Sequence, residues 1–257
     1  MKKVWIGTSW KMNKTLDDAH RWSSVLTDYM NKNNVIVQAF VIPPFPYIAA
    51  VAQNLSNTQV KIGAQNMCWQ DKGAYTGEVS PVMVKDCGAS LVEIGHSERR
   101  ALFGETDHRV NQKALAALAH NLTPLICVGD TAQDKAWGVS TETVIRQVKI
   151  ALHNIKSSDI HSVIIAYEPV WAIGENGIPA TNEEAAVMHD AIREILIQMY
   201  GQRIAQRMTL LYGGSVNLEN AQGLLQQVNI DGLFVGRTAW DVNGFIKLIE
   251  IAEAKEA

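Results

Sequence analysis

Eight short runs rich in β-branched residues recur along this chain, each followed by a longer stretch with helical spacing. That alternation limits the possible folds more than any other feature. The runs are Val4–Trp10, Val37–Ile42, Val60–Ala64, Leu91–Gly95, Leu125–Val128, Val163–Tyr167, Met208–Tyr212 and Gly232–Val235. Over 257 residues they repeat about every 32 positions, the length of a strand with its crossover helix. Their hydrophobicity is continuous rather than alternating, as expected of strands buried on both faces. Between them, Ser140–Ile155 is predicted to be a helix, with Val144, Val148, Ala151, Leu152 and Ile155 on one face. Thr181-Asn182-Glu183-Glu184 reads as a capping box opening a helix to Tyr200, which Gly201 stops. Asp17-Asp18 and Glu183-Glu184 complement helix dipoles. No Pro/Ser-rich linker or composition shift divides the chain, so residues 1–257 are expected to form a single α/β domain, a (β/α)8 barrel. A doubly wound open sheet is the alternative, but no Gly-x-Gly-x-x-Gly follows the first run.

Bulk properties narrow the function classes. A net charge of −3 argues against nucleic-acid or membrane-surface binding through long-range electrostatics. Apolar stretches fall short of the roughly 20 residues that cross a bilayer. Lys2 and Lys3 precede a short strand-like run with Gly and Ser rather than a signal-peptide core. Cys68, Cys87 and Cys127 are odd in number and lack metal-ligand spacing, which suits reduced thiols in the cytoplasm.

Three apolar runs end in chemistry-bearing side chains. Val163–Ala166 leads to Glu168 and then breaks into Pro169, Trp171 and Gly174. Pro169 must stop the strand, and a carboxylate beside Trp171 is expected to be poorly hydrated, as a general base requires. The run Leu91 to Ile94 ends in Gly95-His96, with Ser97 as the expected N-cap of a helix whose positive end keeps His96 neutral. The first run ends in Ser9-Trp10-Lys11, and the Lys11 ammonium could stabilise oxygen charge or attract a phosphate. In a parallel barrel such ends converge on one mouth. Two late loops suit a phosphate: Tyr212-Gly213-Gly214-Ser215 after the seventh run and Val235-Gly236-Arg237 after the eighth. The histidines at 20, 108, 120, 153, 161 and 189 are assigned no role.

Trp10-Lys11-Met12-Asn13, Gly63-Ala64-Gln65-Asn66, Tyr75-Thr76-Gly77-Glu78, Gly95–Arg100, Ala166–Gly174, Tyr212–Val216 and Asp231-Gly232 together carry a family likeness. Over nearly its full length the chain resembles the triosephosphate isomerase family. That resemblance implies a TIM barrel and a cofactor-free, metal-free isomerase with Lys11, His96 and Glu168 as catalytic residues. It also implies phosphate contacts from Gly174, Ser215 and Gly236, Glu98 and Tyr212 in supporting positions, and a lid over Gly174–Ala180. Gln65–Glu78 would insert into a second copy of the chain, with Thr76 near the other site, giving a homodimer.

Three departures fall in one pocket. Ser9 stands where the family usually has Asn, Arg237 replaces a second Gly, and the lid Gly174–Thr181 is one residue longer. The smaller Ser9 leaves room beside Lys11, the longer lid could close over one more carbon, and Arg237 could add a charge-assisted fork to phosphate. The same stretches are similar to the L-erythrulose-1-phosphate isomerase branch of the family. This implies proton transfer between L-erythrulose 1-phosphate and D-erythrulose 4-phosphate. Triosephosphate isomerisation is the alternative, and a non-catalytic sugar-phosphate-binding barrel the remote one.

Overall fold

Backbone pairing closes the eight runs into one parallel barrel, in chain order, with the last strand returning to the first. The computed structural model describes residues 2–174 and 179–256. The strands are β1 (Trp5–Ser9), β2 (Gln38–Ile42), β3 (Lys61–Ala64), β4 (Leu91–Ile94), β5 (Thr123–Val128), β6 (Ile164–Tyr167), β7 (Thr209–Tyr212) and β8 (Gly232–Val235). The helices are α1 (Leu16–Lys32), α2 (Ile48–Asn54), α3 (Pro81–Asp86), α4 (Ser97–Phe103), α5 (Asp107–Ala119), α6 (Ala132–Trp137), α7 (Ser140–Ala151), α8 (Asn182–Tyr200), α9 (Gln202–Ala205), α10 (Ala221–Leu225), α11 (Arg237–Trp240) and α12 (Val242–Glu256).

Continuous apolar sequence in each strand now has a physical reason. One set of strand side chains, including Phe40, Ile42, Leu91, Leu125, Leu211 and Phe234, fills the barrel interior. The alternate set, including Val41, Val92, Ile126 and Ile165, faces the helices. Phe40 and Phe234 stack across the interior at 5.6 Å. Gly7 makes room for them, because a Cβ there would lie 1.9 Å from the Phe40 ring. Outside the barrel, Trp22 of α1 packs on Trp10 at 5.1 Å and on Phe245 of α12 at 5.3 Å. Each such aromatic pair adds about 1 kcal/mol beyond its buried area, and this set joins the first helix to the last.

The capping box at Thr181 opens α8 as expected, and Gly201 ends it with φ 80°. Elsewhere the boundaries differ from expectation. α7 stops at Ala151, four residues early, because Leu152 caps it and Asn154 turns left-handed at φ 63°. Leu152 and Ile155 still reach the core. β5 begins at Thr123, before Pro124. Proline is tolerated there because it is only the second residue of the strand, where losing one donor costs least.

Candidate active site

Each side chain singled out at a strand end is aimed at the C-terminal mouth by a local break in the chain. After β1, Lys11 adopts a left-handed backbone at φ 52°. That conformation costs a β-carbon-bearing residue about 1–2 kcal/mol, so surrounding structure must hold it. The Gln65 amide does so, donating to the Lys11 carbonyl at 2.8 Å. The Lys11 ammonium then meets Glu98 Oε1 at 2.6 Å.

After β4, Gly95 turns with φ 75°. A Cβ there would strain the backbone and lie 2.8 Å from Val110 Cγ2. The turn makes His96, not Ser97, the N-cap of α4. Its Nδ1 accepts the Glu98 N–H at 3.2 Å, so that nitrogen carries no proton and the ring proton sits on Nε2. The expected neutral imidazole thus rests on a capping bond. His96 Nε2 is 3.4 Å from Glu168 Oε1.

After β6, the Glu168 N–H donates to the Val128 carbonyl at 2.8 Å, and its Oε2 accepts the Ser97 N–H at 3.3 Å. Glu168 is 2% exposed. Trp171 has a different task from the one expected of it. Its indole donates to Asp130 Oδ2 at 3.0 Å, and Lys135 lies over its face at 3.3 Å. Close packing on Glu168 comes from Gly213, where a Cβ would lie 3.0 Å from Glu168 Cγ.

These groups share one cavity of about 690 Å³ with the two late loops, represented by Gly214, Ser215 and Gly236. Ser9, Glu98 and Gly174 also line it. Arg237 lines the rim, and its guanidinium donates to the Gly174 carbonyl at 3.0 Å, linking the β8 loop to the root of the expected lid. Tyr212 does not line the cavity. Its buried hydroxyl sits under Gly214, where a Cβ would lie 2.3 Å away, and burial raises its pKa. Thr76 is exposed on the segment between β3 and α3 and also lies outside the cavity lining. Of the lid, Glu175 to Ile178 lie outside the described residues.

Two acids were missed. Glu93 interrupts what reads as the apolar run Leu91 to Ile94, yet it is 2% exposed and accepts from Ser9 Oγ at 2.9 Å. Its Oε1 is 3.9 Å from His96 Nε2. Burial pushes its pKa up to about 7, with the Glu168 charge adding and His96 opposing. A charged residue inside an otherwise apolar strand is the signal that could have revealed it. Asp130, after β5, accepts from Tyr167 Oη at 2.8 Å, Ser140 Oγ at 2.6 Å and the Trp171 indole. No motif in its own stretch marks it. Glu93, His96 and Glu168 offer ligand atoms within 4.8 Å of one another, the spacing a divalent cation could use. Among the described residues, no helix is long and apolar enough to cross a membrane.

The sequence profile of the triosephosphate isomerase family matches residues 4–252. The chain belongs to that family. It is therefore an isomerase built on the TIM barrel. Within the family it is 48% identical over 247 residues to the L-erythrulose-1-phosphate isomerase of Rhizobium etli, covering 96% of this chain and 91% of that relative. It is 47% identical over 250 residues to the protein of that name from Brucella abortus, covering 97% and 96%. The Rhizobium meliloti protein of the same name is 47% identical over 248 residues, with 96% of each covered.

Proposed function

We propose that this triosephosphate isomerase family member interconverts L-erythrulose 1-phosphate and D-erythrulose 4-phosphate through an enediolate. The observation that carries the reading is the convergence of a buried carboxylate, an Nε2-protonated imidazole and an ammonium in one cavity beside two glycine-rich loops. Glu168 removes the proton from the hydroxyl-bearing carbon next to the ketone. His96 Nε2–H and Lys11 Nζ stabilise the negative charge that forms on oxygen. His96 gives its Nε2 proton to the former carbonyl oxygen and takes the proton of the neighbouring hydroxyl. Glu168 returns the carbon-bound proton to the carbon next door, so substrate and product are isomers and no redox partner is consumed. Backbone N–H groups around Gly174, Ser215 and Gly236 hold the phosphate. Arg237 keeps the β8 loop against Gly174 rather than forking the phosphate itself.

Ser9 supports a four-carbon substrate, because it presents a small hydroxyl beside Lys11 where the family usually carries the larger Asn. The names of the three relatives agree. Triosephosphate isomerisation would use the same three groups, so one measurement separates the two activities: kcat/KM for L-erythrulose 1-phosphate and for glyceraldehyde 3-phosphate on one preparation. The tetrulose should win, and a strong preference for the triose overturns the assignment. We further propose a homodimer, supported by the exposed apolar side chains of Met12 (96%) and Tyr75 (41%) at and near the segment expected to pair. A cytoplasmic location is in keeping with three free cysteines.

A further inference from the structure

Within β4, Glu93 is a carboxyl placed where its neighbours in the barrel are apolar. It sits on the inward-facing set with Leu91, while Val92 and Ile94 face the helices. Among the described residues, its one side-chain hydrogen bond comes from Ser9 Oγ, at 2.9 Å. A carboxyl buried with a single neutral donor, beside a second carboxylate, is unfavourable for stability. Its raised proton affinity is the visible sign of that penalty. An apolar side chain of similar size would suit the fold better, so a function must account for the acid.

Ser9 supplies the connection. It is 5% exposed, it lines the cavity, and it lies on β1 two residues before Lys11. Because its hydroxyl proton is given to Glu93, the lone pairs of Oγ remain to accept a hydrogen bond from the cavity side. An acceptor paired with a carboxylate is stronger than an isolated serine, since each bond in such a chain polarises the next. The phosphate loops Gly214-Ser215 and Gly236 follow β7 and β8, and Ser9 ends the neighbouring strand β1, so a substrate whose phosphate sits on those loops shares its cavity with Ser9. On the side away from its phosphomethyl group, a triose phosphate carries no carbon beyond its two reacting ones. A tetrulose phosphate carries a hydroxymethyl group there, and that hydroxyl needs an acceptor.

We propose that Ser9 and Glu93 form a subsite for the terminal hydroxymethyl of the substrate: the substrate hydroxyl donates to Ser9 Oγ, which donates to Glu93. This rests on the assignment of a four-carbon ketose phosphate above. Ser9 is the specificity-determining contact, and Glu93 is a positioning residue that acts through it.

The test is the ratio of kcat/KM for L-erythrulose 1-phosphate to that for dihydroxyacetone phosphate, in the wild-type enzyme and in Ser9→Ala, Glu93→Leu and Glu93→Gln. Where the triose turns over too slowly, its inhibition constant against the tetrulose replaces its kcat/KM. Losing a hydrogen bond that only the larger substrate makes should lower the ratio about tenfold in Ser9→Ala and in Glu93→Leu. Glu93→Gln keeps an acceptor oxygen for Ser9 and should hold a ratio nearer the wild type. Ratios unchanged in Ser9→Ala overturn the subsite, even if Glu93→Leu fails to fold. Equal ratios for the Leu and Gln variants overturn the chain through Glu93. The wild-type preference itself tests the activity, so a wild-type enzyme that favours the tetrulose while its variants discriminate equally well rejects the subsite alone. A wild-type enzyme with no tetrulose turnover rejects both.

Discussion

At the scale of single residues, distance and burial carry the chemistry. Glu168 is held from both ends, by its own N–H on Val128 and by the Ser97 N–H on its carboxylate. Glu168→Asp keeps the charge but draws the carboxylate back by about one methylene, and such misplacement should lower kcat about 100-fold with KM little changed. Steady-state kinetics beside the wild type would show this, and a non-catalytic barrel would lose nothing. Glu93 makes a prediction about stability. Its pKa rises from an ordinary 4.5 to about 7 on folding, so between those values the folded state binds protons that the unfolded state has released. The stability it contributes is present below pH 4.5 and is lost as the pH rises through 7. That rise corresponds to about 3 kcal/mol. Glu93→Gln cannot ionise, so its urea stability should overtake the wild type between pH 5 and pH 8. Parallel stability profiles across that range would refute the prediction.

At the scale of elements, the strand ends were readable and the local turns were not. Continuous apolar runs located all eight strands, because a strand covered on both faces leaves a plain hydrophobic signal. Ser97 looked like the natural N-cap, yet the left-handed turn at Gly95 delivers His96 to that position instead. Trp171 looked like the neighbour of Glu168, but Asp130, from a different strand end, claims its indole. Asp130 also takes Tyr167 Oη and the Val170 N–H, through its side chain and its carbonyl respectively. It thus fastens the stretch Pro169–Ala172 that leads from Glu168 toward the expected lid. Asp130→Ala removes the acceptor for three buried or half-buried donors. It should lower thermal stability by about 2–4 kcal/mol and reduce kcat as the segment loosens. Thermal melts and kinetics on one preparation check both, and a loss of stability with full activity would show that the fastening does not reach the chemistry.

At the scale of the whole molecule, closure of the barrel brings residues 11, 96 and 168 to one cavity from strands far apart in sequence. The proposed homodimer would seat the exposed segment carrying Tyr75 and Thr76 against a second copy of the chain. Thr76→Arg places a long charged side chain in that contact and should shift the assembly toward monomer, lowering kcat/KM at least tenfold if the other copy completes the site. Sedimentation velocity would report the shift. A wild-type protein already monomeric at micromolar concentration would refute the pairing.

Sequence alone determined the alternation of strands and helices, a parallel α/β architecture, and which base, imidazole and ammonium stand at strand ends. Those features depend on local periodicity and on residue types at fixed spacing, which one chain displays directly. Tertiary structure alone decided that Glu93 touches Ser9, that Asp130 holds Trp171, that Tyr212 supports Gly214 from below, and that Arg237 reaches Gly174. Glu93 with Ser9, Asp130 with Trp171 and Arg237 with Gly174 join segments that follow or belong to different strands, while Tyr212 folds back under its own loop. All four depend on how the barrel's register and curvature set the chain. No local pattern encodes the first three, because their halves lie between 41 and 84 positions apart, and in the fourth the two residues are close in sequence but only the turn after β7 brings the Tyr212 ring beneath Gly214.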